Sequence, residues 1–118
     1  MKLGELVKSA DFKNEKHVPV IVAPDKVKAG EKFEVEVSVG KEIAHPNTVE
    51  HYIKWIELYI KYDDNPNIVE LGRFDFSPVT TEPKAKATIK TDKKGTLIAL
   101  SYCNLHGLWE SQKEIEIE

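Results

Sequence analysis

From Lys32 to Val39 the chain alternates: Phe33, Val35, Val37 and Val39 fall on one side, with Glu34, Glu36 and Ser38 on the other. A period of two puts one face on a core and the other in water, and so predicts a β-strand. The stretch KAKATIKT from Lys84 repeats the pattern with smaller residues, and Ile115 and Ile117 repeat it near the C-terminus. Further strands are predicted over Val18 to Val22, Ile68 to Phe76 and Thr96 to Tyr102. Turn residues separate them at Ala29-Gly30, His45-Pro46-Asn47, Asp63 to Asn67, Ser77-Pro78 and Lys93-Lys94-Gly95. The segment YIKWIELYIKY from Tyr52 fits two periods. Tyr52, Trp55, Ile56, Tyr59 and Ile60 suit a helix, whereas Ile56, Leu58 and Ile60 alternate with Trp55, Glu57 and Tyr59. Its β-branched and aromatic content, among neighbours that are all strands, decides for a strand. The preceding GKEIAHPNTVEH has no strand pattern and reads as a connecting loop, with room for one helical turn. Short strands at this spacing predict an all-β, immunoglobulin-like sandwich of about seven strands, with residues 1–118 as one domain.

Composition narrows the class. An apolar fraction of 41% and a charged fraction of 31% describe a globular chain long enough to build one core without disulfides. The net charge of −3 argues against a nucleic-acid module, which carries a basic stripe. No apolar run approaches the length of a membrane span. The N-terminal residues lack the apolar stretch of a secretory signal, so the expected compartment is the cytoplasm. A single cysteine excludes an intramolecular disulfide framework and leaves either a small core residue or a reactive or metal-binding thiolate. Trp55 and Trp109 are read as core residues.

The chemistry-bearing residues are concentrated. All four histidines and the only cysteine fall in three short places: Glu15-Lys16-His17-Val18-Pro19, His45 to His51, and Cys103-Asn104-Leu105-His106-Gly107. Each borders a predicted strand, where a rigid sandwich places functional groups. Singly, His17 is a loop residue, His45-Pro46 a turn and Cys103 an apolar plug. As a set they leave no histidine outside the three loops. Cys-x-x-His is a compact chelate, since a tight turn can aim a thiolate and an imidazole at one ion, with Gly107 easing the backbone. Five donors of mixed softness disfavour a structural zinc site, which four ligands close, and suit iron or copper.

The segments EKHVP, HPNTVEHYIKWIEL and SYCNLHGLWE resemble the signature segments of the superoxide reductases, the neelaredoxin and desulfoferrodoxin family. The four-cysteine N-terminal domain of the two-iron members has no counterpart here, so the resemblance is to the one-iron, neelaredoxin-type branch. It implies an iron centre with His17, His45, His51 and His106 in the equatorial plane and Cys103 axial. Glu15 matches the residue that takes the sixth position in the oxidised form, and Lys16 the exposed cation beside the open site. It further implies reduction of superoxide to hydrogen peroxide, rubredoxin or a similar electron donor, and a homotetramer. No dinucleotide fingerprint or haem-attachment motif supplies a second cofactor. A competing reading is a cupredoxin-like electron carrier, for which Gln112 would have to replace the usual axial methionine, since Met1 is the only methionine. A metal-free immunoglobulin-like binding module is the other; it leaves the clustering of every histidine to coincidence.

Overall fold

The alternating segments pair into two sheets. A computed structural model describes residues 1–118 and contains strands β1 (Pro19–Val22), β2 (Lys26–Val27), β3 (Lys32–Val39), β4 (Ile53–Tyr62), β5 (Val69–Asp75), β6 (Lys84–Lys90), β7 (Gly95–Cys103) and β8 (Gly107–Ile117). The smaller sheet has the order β1-β3-β6, and the larger β2-β8-β7-β4-β5. Every pairing is antiparallel except the two-residue β2 on β8. The expected all-β sandwich is therefore observed, with eight strands once β2 is included. The only helical turn is Leu3–Glu5, and the 40–51 connection contains none.

Val35, Val37 and Val39 of β3 and Ile89 of β6 face Ile56, Leu58 and Ile60 of β4 and Leu97, Ala99 and Cys103 of β7 across the core. Burying each of the larger aliphatic side chains stabilises the fold by roughly 1.5–3 kcal/mol. Strand β8 is longer than Ile115 and Ile117 alone predicted. Its inward residues include Ser111 and Lys113, both half-buried, so the hydrophobic alternation fades although the strand continues to Gly107.

Trp55 corrects an expectation. A bulge between Ile53 and Trp55 lets Ile53 and Ile56 both point inward while Trp55 turns to the outer face. There it is half-buried, stacked on Tyr102 with ring centroids 5.7 Å apart and lying under the Arg73 guanidinium at 4.6 Å.

Register brings the three histidine- and cysteine-bearing places to one end. Pro19 at the start of β1 pairs with Val39 at the end of β3, and Ile53 at the start of β4 pairs with Cys103 at the end of β7. His17 lies two residues before β1, His45 and His51 lie between β3 and β4, and His106 lies in the turn from β7 to β8.

Candidate metal centre

Cys103 gets its direction from strand periodicity. Gly95, Leu97, Ala99, Ser101 and Cys103 all point inward, so the sulfur is fully buried at the floor of the site. The chain then reverses over three residues, and Gly107 takes φ +81°, a left-handed conformation that glycine adopts without strain. This turn brings Nδ1 of His106 to 3.8 Å from the Cys103 sulfur. Gly40 does similar work for the 40–51 loop. Its φ is +93°, and a Cβ there would lie 2.7 Å from the backbone nitrogen of His45.

The imidazoles are oriented from outside. Nδ1–H of His17 donates to Oε1 of Glu15 at 2.6 Å, and Nδ1–H of His45 donates to the carbonyl of Pro46 at 2.6 Å. Both rings therefore present an unprotonated Nε2 to the interior in their neutral form. The rings form a cycle, with neighbouring centroids 5.0 Å apart for His17–His45, 4.7 Å for His45–His51, 5.0 Å for His51–His106 and 4.6 Å for His106–His17. His17 and His51 stand across the cycle at 6.0 Å. One donor atom from each of His17, His45, His51 and Cys103 lies within 4.8 Å of the others. His106 joins them through Nδ1, which is 3.0 Å from Nε2 of His17 and 3.2 Å from Nε2 of His51.

These residues fit a metal ion. Nε2 of His45 is the one buried side-chain nitrogen or oxygen without a hydrogen-bond partner. An orphaned polar atom of that kind calls for an unseen partner. Nδ1 of His106 faces two ring nitrogens and a sulfur, yet it can carry only one proton, so hydrogen bonds alone cannot satisfy the group. Two nitrogens adjacent on one ion, each about 2.1 Å from it, would be about 3 Å apart, the spacing seen here. Imidazoles with one thiolate suit a first-row transition metal.

The electrostatics agree. Burial pushes His45 down to about 4, with the neighbouring His17, His51 and Lys16 charges acting in the same direction. His51 is also lowered, by burial first and then by His106, His17 and Lys16. Both therefore favour the neutral form that ligates metals. The hydrogen bond from His17 holds the Glu15 carboxyl below its ordinary range. Glu15 is thus found on the far nitrogen of His17 and is not among the gathered donors. The half-buried Lys16 precedes His17 in the chain, and its charge also lowers Glu15, His45 and His51.

Several supporting residues were not singled out by the sequence reading. Asn104 accepts from the Tyr52 amide at 2.9 Å and donates to the Glu50 carbonyl at 2.9 Å, stapling the Cys103–His106 turn to the His51 loop. Asn47 accepts from the Val79 amide at 2.8 Å and donates to the Thr81 carbonyl at 3.3 Å. Val79 has φ +69°, uncommon for a β-branched residue, and Asn47 holds it there. The signal for Asn47 was present in His45-Pro46-Asn47 but reads as turn chemistry alone. Gln112 is exposed on β8 opposite Ile98. That is five residues from the Cys103–Gly107 pair, or about 17 Å along the strand, so it cannot serve as an axial ligand.

A sandwich carrying four imidazoles and a thiolate at one end defines a mononuclear transition-metal protein. The desulfoferrodoxin family model matches residues 9–112. A superoxide reductase of Pyrococcus abyssi is 52% identical, with 97% of this chain and 99% of the relative covered. Neelaredoxin of Megalodesulfovibrio gigas is 42% identical over the whole of both chains. A solved superoxide reductase (neelaredoxin) from Ignicoccus hospitalis superposes with a TM-score of 0.90 at 48% identity, again over the whole of both chains. The chain belongs to the desulfoferrodoxin family, among its superoxide reductases of neelaredoxin type. These are mononuclear iron enzymes.

Proposed function

We propose that residues 1–118 act as one iron-binding domain that reduces superoxide to hydrogen peroxide, with His17, His45, His51, His106 and Cys103 holding the iron. The observation that carries this reading is the orphaned, buried Nε2 of His45, turned toward the donors of His17, His51 and Cys103. One superoxide takes up one electron and two protons to give one hydrogen peroxide. A ferrous ion in this site would supply the electron, and a thiolate ligand would favour its release, as in thiolate-ligated haem enzymes.

The chain's own residues do the rest. The buried Cys103 sulfur and His17 close the inner side of the cluster, while the exposed His106 and half-buried His51 leave the outer side accessible to a small anion. Lys16 draws superoxide to that side, because a local cation on an acidic protein raises the encounter rate. Glu15 would be the carboxylate available to a ferric ion in this site, and to reach it would give up its hydrogen bond to Nδ1 of His17. Glu15→Ala should then change the ferric absorption spectrum more than the rate of the first encounter.

The electron is restored by a small redox protein such as rubredoxin. The protein works as a homotetramer in the cytoplasm; no helix is long and apolar enough to cross a membrane.

The deciding experiment is metal analysis of the purified protein with optical spectra before and after ascorbate, followed by superoxide consumption. About one iron per chain, a ferric–thiolate band that bleaches on reduction, and peroxide formed without oxygen are expected. Stoichiometric copper with an intense blue band would overturn the assignment in favour of an electron carrier, and zinc or no metal would overturn it as well.

A further inference from the structure

Trp109 is buried, at 9% exposure, yet it is absent from the contiguous hydrophobic core formed by the two sheets. It packs against the histidines. Its indole lies flat on the ring of His17, with centroids 5.1 Å apart and planes 15° from parallel. Its Nε1–H donates to the backbone carbonyl of His106 at 3.2 Å. A single side chain therefore touches two donors that come from distant parts of the chain, whose facing nitrogens are 3.0 Å apart.

The indole is itself held in place. The Lys8 amide donates to Leu108 and the Glu110 amide donates to Lys8, bracketing residue 109, and the Lys8 ammonium lies over the indole at 5.4 Å. The fully buried Ser101 hydroxyl lies 3.3 Å from the carbonyl of His17 and 3.4 Å from that of Trp109, tying the two backbones to one point.

We propose that Trp109 is a positioning residue for the metal centre, fixing the plane of the His17 ring and the place of the His106 turn relative to each other. The physical need is clear. The Glu15 hydrogen bond sets which nitrogen of His17 faces inward, but a ring anchored at one point can still tilt about it. A flat aromatic neighbour removes that tilt. His106 lies in an exposed turn, and the indole N–H is the side-chain donor that secures its backbone. Outer partners of this kind keep ligands at their bonding geometry, and the cost of losing them appears in metal retention.

The inference rests on reading the cluster as a metal centre, and its test separates the two. Iron-loaded wild type, Trp109→Phe, Trp109→Leu and the core control Ile60→Ala are reduced and challenged with a ferrous chelator. Iron release, the ferric absorption band and the thermal midpoint of each protein are recorded. Trp109→Leu should release iron about 10- to 100-fold faster than wild type. Trp109→Phe, which keeps a stacking ring but loses the N–H, should fall between, by about threefold, with a shifted ferric band. Ile60→Ala should lower the midpoint and leave release within about twofold of wild type, since Ile60 pairs with Leu97, six residues along β7 from Cys103. Equal release from Trp109→Phe and wild type, with an unshifted band, would overturn the positioning role. So would release from Trp109→Leu no faster than from Ile60→Ala. A wild-type chain that retains no iron would instead overturn the metal centre, and the brace with it.

Discussion

The two ends of the sandwich are built over the same core but held by different means. At the histidine end, side chains of one loop bond to the backbone of another, Asn104 to residues 50 and 52 and Asn47 to 79 and 81, and Trp109 of β8 bonds to the carbonyl of 106. At the opposite end no side chain of one loop bonds to the backbone of another; the contacts are one Thr91–Tyr62 hydroxyl pair at 3.2 Å and the surface ion pairs Lys93–Asp64 at 3.0 Å and Lys94–Asp63 at 3.3 Å, whose partners are all more than half exposed. Exposed pairs contribute little because water screens them and long side chains lose entropy to form them. Loop-to-loop bonds fix positions. The difference marks the end where geometry matters.

The sharpest way to break the comparison is to remove the floor of the site. Cys103→Ser should abolish the ferric–thiolate band and lower iron affinity by more than about 100-fold, beyond what loss of an outer partner costs, as read by competitive chelation. Next is a matched pair of glycines. Gly40→Ala places a Cβ 2.7 Å from the His45 amide at φ +93°, whereas Gly30→Ala at φ +79° meets nothing within 4 Å. Both pay the left-handed penalty of about 1–2 kcal/mol, and only Gly40→Ala adds a clash with backbone. Thermal unfolding should therefore show the larger loss for Gly40→Ala, and only that variant should also lose iron; equal losses would mean the two ends are equivalent.

Asn104→Ala should speed iron release about 10-fold, since it removes both side-chain bonds from the Cys103–His106 turn to the His51 loop and leaves only the Asn104 amide on the Tyr52 carbonyl. Lys16→Ala should slow the reaction with superoxide by about threefold and flatten its dependence on ionic strength while leaving iron bound. A salt dependence identical to wild type would remove Lys16 from the steering role. The smallest effect belongs to the opposite end: Lys93→Ala should change stability by less than about 0.5 kcal/mol in denaturant unfolding and leave iron retention untouched.

Much of the fold was legible because alternation is a local signal. Phe33 to Val39 and Ile56 to Ile60 announce strands by their own spacing. Ile53 could not be placed in that way: alternation puts it on the outer face with Trp55, Glu57 and Tyr59, a bulge turns it inward, and bulges belong to strand pairs, not to single strands. The start of β8 was hidden for a related reason, because Ser111 and Lys113 face inward without being apolar.

At the candidate site, the histidines and Cys103 stood out because nothing else in the chain competes with them as soft donors. Asn47, Asn104, Ser101 and Gly40 did not stand out, since each reads locally as ordinary loop or strand chemistry. Glu15 was read by resemblance alone, and its hold on Nδ1 of His17 could not be read from the Glu-Lys-His spacing. Trp109 read as a core residue, and its burial agrees, but what it is buried against is the ring of His17.

Local spacing and side-chain chemistry alone fixed most of the strands and the small set of donors available to a metal. Those are properties of nearest neighbours and of side-chain chemistry. Only the tertiary structure decided that residues 17, 45, 51, 103 and 106 meet, which nitrogen of His17 and His45 faces inward, and which side chains keep them there. The reason is that antiparallel register sets which strand ends coincide, and register is a relation between strands that no single segment carries.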